Sequence, residues 1–155
     1  MHKILFICHG NICRSTMAQF VLADMAKRRH VDHLFIIDSA ATSREEIGNP
    51  PHHGTVRKCR EKGVPVLTHY AQQITKDDYQ RYDYIIGMDV WNVSNAKRIT
   101  GGDPEGKICK LLEFAGSDDD IADPWYTGDF ETTYQDVLRG CEGLMAELLA
   151  RKKNA

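Results

Sequence analysis

Lys3-Ile4-Leu5-Phe6-Ile7-Cys8 is a short apolar run, and a helix-period segment is already under way at Ser15, so the chain passes from its first strand into its first helix with no room for a linker. A strand handed straight to a helix is the first half of a crossover unit, the building block of a parallel sheet covered by helices. The alternation continues. Short apolar runs bounded by turn residues predict strands at Lys3–Cys8, Leu34–Ser39, Tyr84–Met88 and Lys107–Leu112. Helical periodicity predicts helices at Thr16–Arg29, Gly54–Lys62, Lys76–Arg81, Val90–Ile99 and Thr132–Lys152. The last of these sets Tyr134, Val137, Leu138, Cys141, Leu144, Met145 and Leu148 on one face, a stripe that belongs in a core. The expected class is α/β: one domain over residues 1–155, a doubly wound parallel sheet with helices on both faces.

Composition removes several classes of function. With 155 residues, 42% of them hydrophobic, the chain can bury a core without disulfide staples. A net charge of −2, with positive residues dispersed, gives no surface for nucleic acid. The apolar run Ile4 to Cys8 is too short for a signal segment, and no stretch reaches membrane-spanning length, so a cytoplasmic protein without membrane contact is expected. Five cysteines in such a setting are expected to be reduced, with Cys59, Cys109 and Cys141 packing as small hydrophobes. The seven histidines include no His-x3-His pair, there is no Cys-x2-Cys pair, and the adjacent His52-His53 fall in a proline-rich segment read as a solvated loop. No metal and no cofactor is expected.

Between strand and helix, Cys8 and Arg14 enclose His9-Gly10-Asn11-Ile12-Cys13. A loop turning into a helix N-terminus points backbone N–H groups and the positive end of the helix dipole at one spot, and Arg14 adds a planar fork of donors. A phosphate or other oxyanion fits there. The same donors stabilise a thiolate at Cys8 and make it a nucleophile. Gly10 offers no Cβ to block an anion, Asn11 tolerates the left-handed backbone of a tight nest, and Ser15 brings a hydroxyl beside the sulfur. Segments Ala40–His53 and Glu113–Asp129 follow strands at the carboxyl edge of the sheet and should wall the pocket, with Asp118-Asp119-Asp120 a solvated turn. Thiolate attack on a phosphate monoester needs an acid to protonate the departing oxygen. Asp103-Pro104 lies in a turn leading into the fourth strand. Asp123-Pro124 leaves a wall loop and is followed by Trp125-Tyr126, which can line the pocket and partly desolvate the acid, so Asp123 is the expected proton donor.

Cys8-His9-Gly10-Asn11-Ile12-Cys13-Arg14-Ser15, Asp38-Ser39-Ala40-Ala41, Met88-Asp89 and Asp123-Pro124 together make the chain resemble the low-molecular-weight protein tyrosine phosphatases over nearly its full length. The resemblance implies a four-stranded parallel sheet and cofactor-free hydrolysis through a phosphocysteine. It casts Cys8 as nucleophile, Arg14 as phosphate clamp and Asp123 as acid and then base. Backbone N–H groups from His9 to Arg14 would cradle phosphate, Ser15 would assist the thiolate as leaving group, and Asn11 would hold the loop through Ser39 and His69. It further implies phosphotyrosine-containing protein substrates, a monomer, and capture of oxidised Cys8 by Cys13.

Three positions depart from the family pattern. His9 adds a titratable group beside the thiolate. Thr16 replaces a proline, and Thr16 with Gln19 can form a capping box that starts the helix. Glu45 stands where the family offers an aromatic wall, which leaves phosphotyrosine and phosphoarginine both open as substrates. Ile12, where the phosphoarginine branch carries threonine, favours tyrosine. An arsenate reductase on this scaffold needs cysteines after the third strand, and residues 80–100 have none. A phosphocysteine carrier needs neither Arg14 nor Asp123.

Overall fold

The structure, a computed structural model, describes residues 1–154, with side chains through Arg151, so the last residue of the predicted domain lies outside it. Four strands, β1 (His2–Cys8), β2 (Phe35–Ala41), β3 (Tyr84–Gly87) and β4 (Ile108–Lys110), form one parallel sheet in the order β2-β1-β3-β4. Six helices accompany them: α1 (Arg14–Arg28), α2 (His53–Glu61), α3 (Asp78–Arg81), α4 (Val90–Thr100), α5 (Pro124–Thr127) and α6 (Phe130–Asn154).

β1 is central and its side chains alternate between two cores. Ile4, Phe6 and Cys8 face Met17 and Phe20 of α1 and Val137, Cys141 and Leu144 of α6. Leu5 and Ile7 face the opposite layer with Ile85, Ile108, Tyr79 and Ala96 of α4. Because β1 is buried on both sides it reads as an unbroken apolar run, the mark of a parallel strand. The chain leaves β1 for β2 on one side and later returns to β3 on the other, so a crevice opens beyond the C-terminal end of β1 where the winding reverses.

Several boundaries differ from expectation. Leu34 belongs to a short 3-10 turn, and β2 runs on to Ala41 because Ala40 and Ala41 pair with Ile7 and Cys8. β4 ends at Lys110, and Leu111 and Leu112 instead enter a 3-10 turn that drops both side chains into the core. The Lys76–Arg81 helix contracts to α3, and α6 begins at Phe130. The Thr16–Gln19 capping box does not form. α1 starts at Arg14; the Thr16 hydroxyl donates to the Cys13 carbonyl at 3.0 Å, and the Gln19 amide oxygen accepts from Ser39 at 2.5 Å. Among the described residues, no helix is long and apolar enough to cross a membrane.

Candidate active site

The loop between β1 and α1 closes around Asn11, whose φ of 59° is the left-handed turn that lets successive N–H groups converge. Its side chain, 0% exposed, joins four partners. The amide nitrogen donates to Ser15 Oγ at 2.7 Å and Ser39 Oγ at 2.9 Å, while Oδ1 faces His69 Nε2 at 2.7 Å and accepts from the Gln72 N–H at 3.3 Å. Since Oδ1 accepts, His69 carries its proton on Nε2. Burial lowers the His69 pKa, and Asp38, 3.6 Å from Nδ1, opposes the shift only in part.

Cys8 Sγ lies 3.0 Å from Ser15 Oγ and receives the Asn11 N–H at 3.3 Å. The Ser15 hydroxyl already accepts from Asn11, so its own proton is free to point at the sulfur. Arg14 is 2% exposed and held from two sides: Nη1 donates to Asp89 Oδ2 at 2.7 Å and the Ile121 carbonyl at 2.9 Å, and Nη2 stands 3.5 Å from Asp123 Oδ2. Burial disfavours its charge, but Cys8, Asp89 and Asp123 together outweigh this and raise its pKa. Arg14 Nε is buried with no hydrogen-bond partner. A guanidinium fixed on one edge with an unpaired buried N–H beside a thiol is a socket for an oxyanion.

Of the residues expected from sequence, Cys8, His9, Gly10, Ile12, Cys13, Arg14, Glu45, Asp123, Trp125 and Tyr126 line one pocket, and Glu46 joins them. Asn11 lies within hydrogen-bonding range of Ser15, Ser39 and His69, and Ser39 and His69 also meet, in the loop's support network. Asp123 caps α5, its Oδ1 accepting the Trp125 N–H at 3.0 Å. Trp125 and Tyr126 are 56% and 83% exposed, so they form a lip and not a lid over the acid. Gly10 lines the pocket, and a Cβ there would also come 3.3 Å from Glu46 Cγ, so its lack of a side chain leaves room for the Glu46 side chain as well. Glu45 stands on the rim, and its Oε2 is 2.6 Å from His9 Nε2. Two of the three departures from the family pattern, His9 and Glu45, thus pair with each other. Cys13 is buried, and burial, with Cys8 adding to it, pushes its thiol up to about 12. Cys59 and Cys141 are buried among core residues, and Cys109 is partly buried against the same core.

Besides Glu46, Asp89 and His52 hold places that the sequence reading did not assign them. Asp89 caps α4 through the Asn92 N–H at 2.8 Å and also grips Arg14; the Asp-x-x-Asn spacing signals the cap but not the second contact. His52, read as solvated, is the half-buried N-cap of α2, with Nδ1 accepting from the Gly54 N–H at 3.0 Å and its ring among aromatic neighbours.

With this geometry in view, the chain matches the family described as low molecular weight phosphotyrosine protein phosphatase over residues 3–154. It is 37% identical over 155 residues to the low molecular weight protein-tyrosine-phosphatase YfkJ of Bacillus subtilis, covering 99% of both chains. The crystal structure of YfkJ superposes with a TM-score of 0.94 over 98% of this chain and 97% of that one. The human low molecular weight phosphotyrosine protein phosphatase is 39% identical over 151 residues, 92% of this chain and 93% of that one. A Drosophila arginine phosphatase has a TM-score of 0.85 at 26% identity, covering 94% of this chain and 97% of the other.

Proposed function

The chain belongs to the low molecular weight phosphotyrosine protein phosphatases, and from that premise we propose that it hydrolyses phosphotyrosine in proteins through a phosphocysteine, as a cytoplasmic monomer. Cys8 Sγ attacks phosphorus in line, and the tyrosine oxygen leaves with a proton from Asp123. Non-bridging phosphate oxygens take the N–H groups of residues 9–14 and the free edge of Arg14, where charge builds in the transition state. Asp123 then accepts a proton from the water that attacks the phosphocysteine. Ser15, 3.0 Å from the sulfur, donates to the thiolate as it departs. The observation that carries the reading is the buried, unpartnered Arg14 Nε in the pocket that also holds Cys8.

The arginine-phosphatase relative and Glu45 raise phosphoarginine as a second substrate. Against it, the Glu45 carboxylate is already engaged by His9 at 2.6 Å, which weakens its hold on a substrate guanidinium. Parallel assays on phosphotyrosine and phosphoarginine peptides test the reading. Release of phosphate from phosphotyrosine is expected, abolished in Cys8→Ser and in Arg14→Ala. Turnover by Cys8→Ser, or preference for phosphoarginine, would overturn it.

A further inference from the structure

His52 touches both halves of the active site without lining the pocket. Its N–H donates to the Ile12 carbonyl at 2.8 Å, inside the loop that carries Cys8. Its ring stacks on Phe130, with centroids 5.4 Å apart and planes at 16°, and meets the edge of Trp125 at 5.4 Å and 76°. Phe130 in turn packs against Ile12, Cys13 and Ala71 under the same loop. At Gly54 a Cβ would fall 2.3 Å from the Phe130 ring, so the start of α2 is pressed onto this aromatic pad as closely as a backbone allows.

Trp125 is the pad's link to the proton donor. Its backbone N–H donates to Asp123 Oδ1, so Asp123 caps α5, a single helical turn with little internal stability of its own that carries Trp125. Trp125 is more than half exposed, and among the described residues its ring–ring contact is the one with His52. The His52 ring is well suited to a fixed pad. Nδ1 accepts from Gly54, which sets the neutral Nε2–H tautomer, and burial together with His53 lowers its pKa against the pull of Glu46 and Asp123.

We infer that His52 is a positioning residue for the proton donor: its backbone N–H ties the residue to the Ile12 carbonyl, and its ring, backed by Phe130, fixes the height of Trp125 and hence the place of the Asp123 carboxyl over the Cys8 loop. This rests on the assignment of Asp123 as the acid. Two functions of His52 are separable by substitution, since His52→Asn keeps a capping oxygen for the Gly54 N–H but loses the ring, whereas His52→Phe keeps the ring and loses the cap.

The test measures kcat/KM on 4-nitrophenyl phosphate and on phenyl phosphate, whose leaving group depends far more on protonation. His52→Asn is expected to lose about tenfold on phenyl phosphate and less than about threefold on 4-nitrophenyl phosphate, with the inhibition constant for inorganic phosphate unchanged. His52→Phe is expected to stay within about threefold of the parent on both. In an Asp123→Ala background, His52→Asn should add no further loss. Equal losses on the two substrates, a loss that persists without Asp123, or a defect in the Phe and not the Asn variant would each overturn the inference. If Asp123→Ala itself showed no leaving-group dependence, the assignment of the acid would fail instead.

Discussion

Replacing Asn11 removes a side chain and strains a backbone, and alanine and glycine separate the two costs. The side chain makes four contacts, to Ser15, Ser39, His69 and the Gln72 N–H, in a site with no exposure. At about 1 kcal/mol each, less what rearrangement recovers, their loss costs about 2–4 kcal/mol in either variant. At φ 59° alanine adds about 1–2 kcal/mol of left-handed strain that glycine avoids. Glycine's greater freedom in the unfolded chain offsets about 0.5–1 kcal/mol of that advantage. Asn11→Ala should therefore melt about 2–4 °C below Asn11→Gly, and both well below the parent. Activity should not follow that order. Both variants release the Ser15 hydroxyl that serves Cys8, and loss of one hydrogen bond to a charged sulfur, about 1.5 kcal/mol, lowers kcat about tenfold in each. Thermal unfolding beside aryl phosphate turnover checks both statements. Equal melting of the two variants, or activity that tracks melting temperature, would refute the reasoning.

Asp123→Ala should lose about 10²–10⁴-fold on phenyl phosphate and much less on 4-nitrophenyl phosphate; a uniform loss would place the proton donor elsewhere. His69 has a folded pKa below its ordinary 6.5, so below that pH the unfolded chain binds the proton more readily and stability falls with falling pH. Chemical denaturation from pH 7.5 to 5 should show that slope, and His69→Gln should flatten it. Peroxide should convert Cys8 to a sulfenic acid that the Cys13 thiol captures as a disulfide with loss of water, so reductant restores activity; Cys13→Ser should recover less, by turnover measured after treatment. Glu45→Trp exchanges an exposed rim pair worth about 0.2–1 kcal/mol for ring stacking worth about 0.5–1.5 kcal/mol, and KM for aryl phosphates should fall at low ionic strength.

What the sequence makes legible is whatever is local in the chain. The apolar run from Ile4 to Cys8, the left-handed tolerance of Asn11 and the nearness of Ser15 to Cys8 are all settled within one strand and one turn, and the strand-to-helix handover leaves few other shapes for them. Element ends were less legible because tertiary partners decide them. β2 continues to Ala41 only because Cys8 lies opposite, and Gln19, free on paper to cap α1, is drawn instead to Ser39 across the helix–sheet interface. The family resemblance supplied Ser39 and His69, which no local spacing would have singled out.

The partners of Arg14 show how the remaining geometry arises. Register pairs Ile7 with Gly87, so both strands end at the same level, and Asp89, two residues past Gly87, comes down beside the loop that follows Cys8. Ile121 and Asp123 arrive from the segment after β4, on the same edge of the sheet. A parallel sheet brings every strand's C-terminal end to one side, so groups 75 and 107 positions from Arg14 along the chain meet it at one point. His52 comes by the same route, from the loop that follows β2. A proline-rich stretch beside a polar pair looks solvated when read alone, because the rings that bury it, Trp125 and Phe130, lie in α5 and α6, both of which follow β4. The motif thus supplies the loop around Cys8, while the sheet's common edge supplies the carboxylates and rings that surround it.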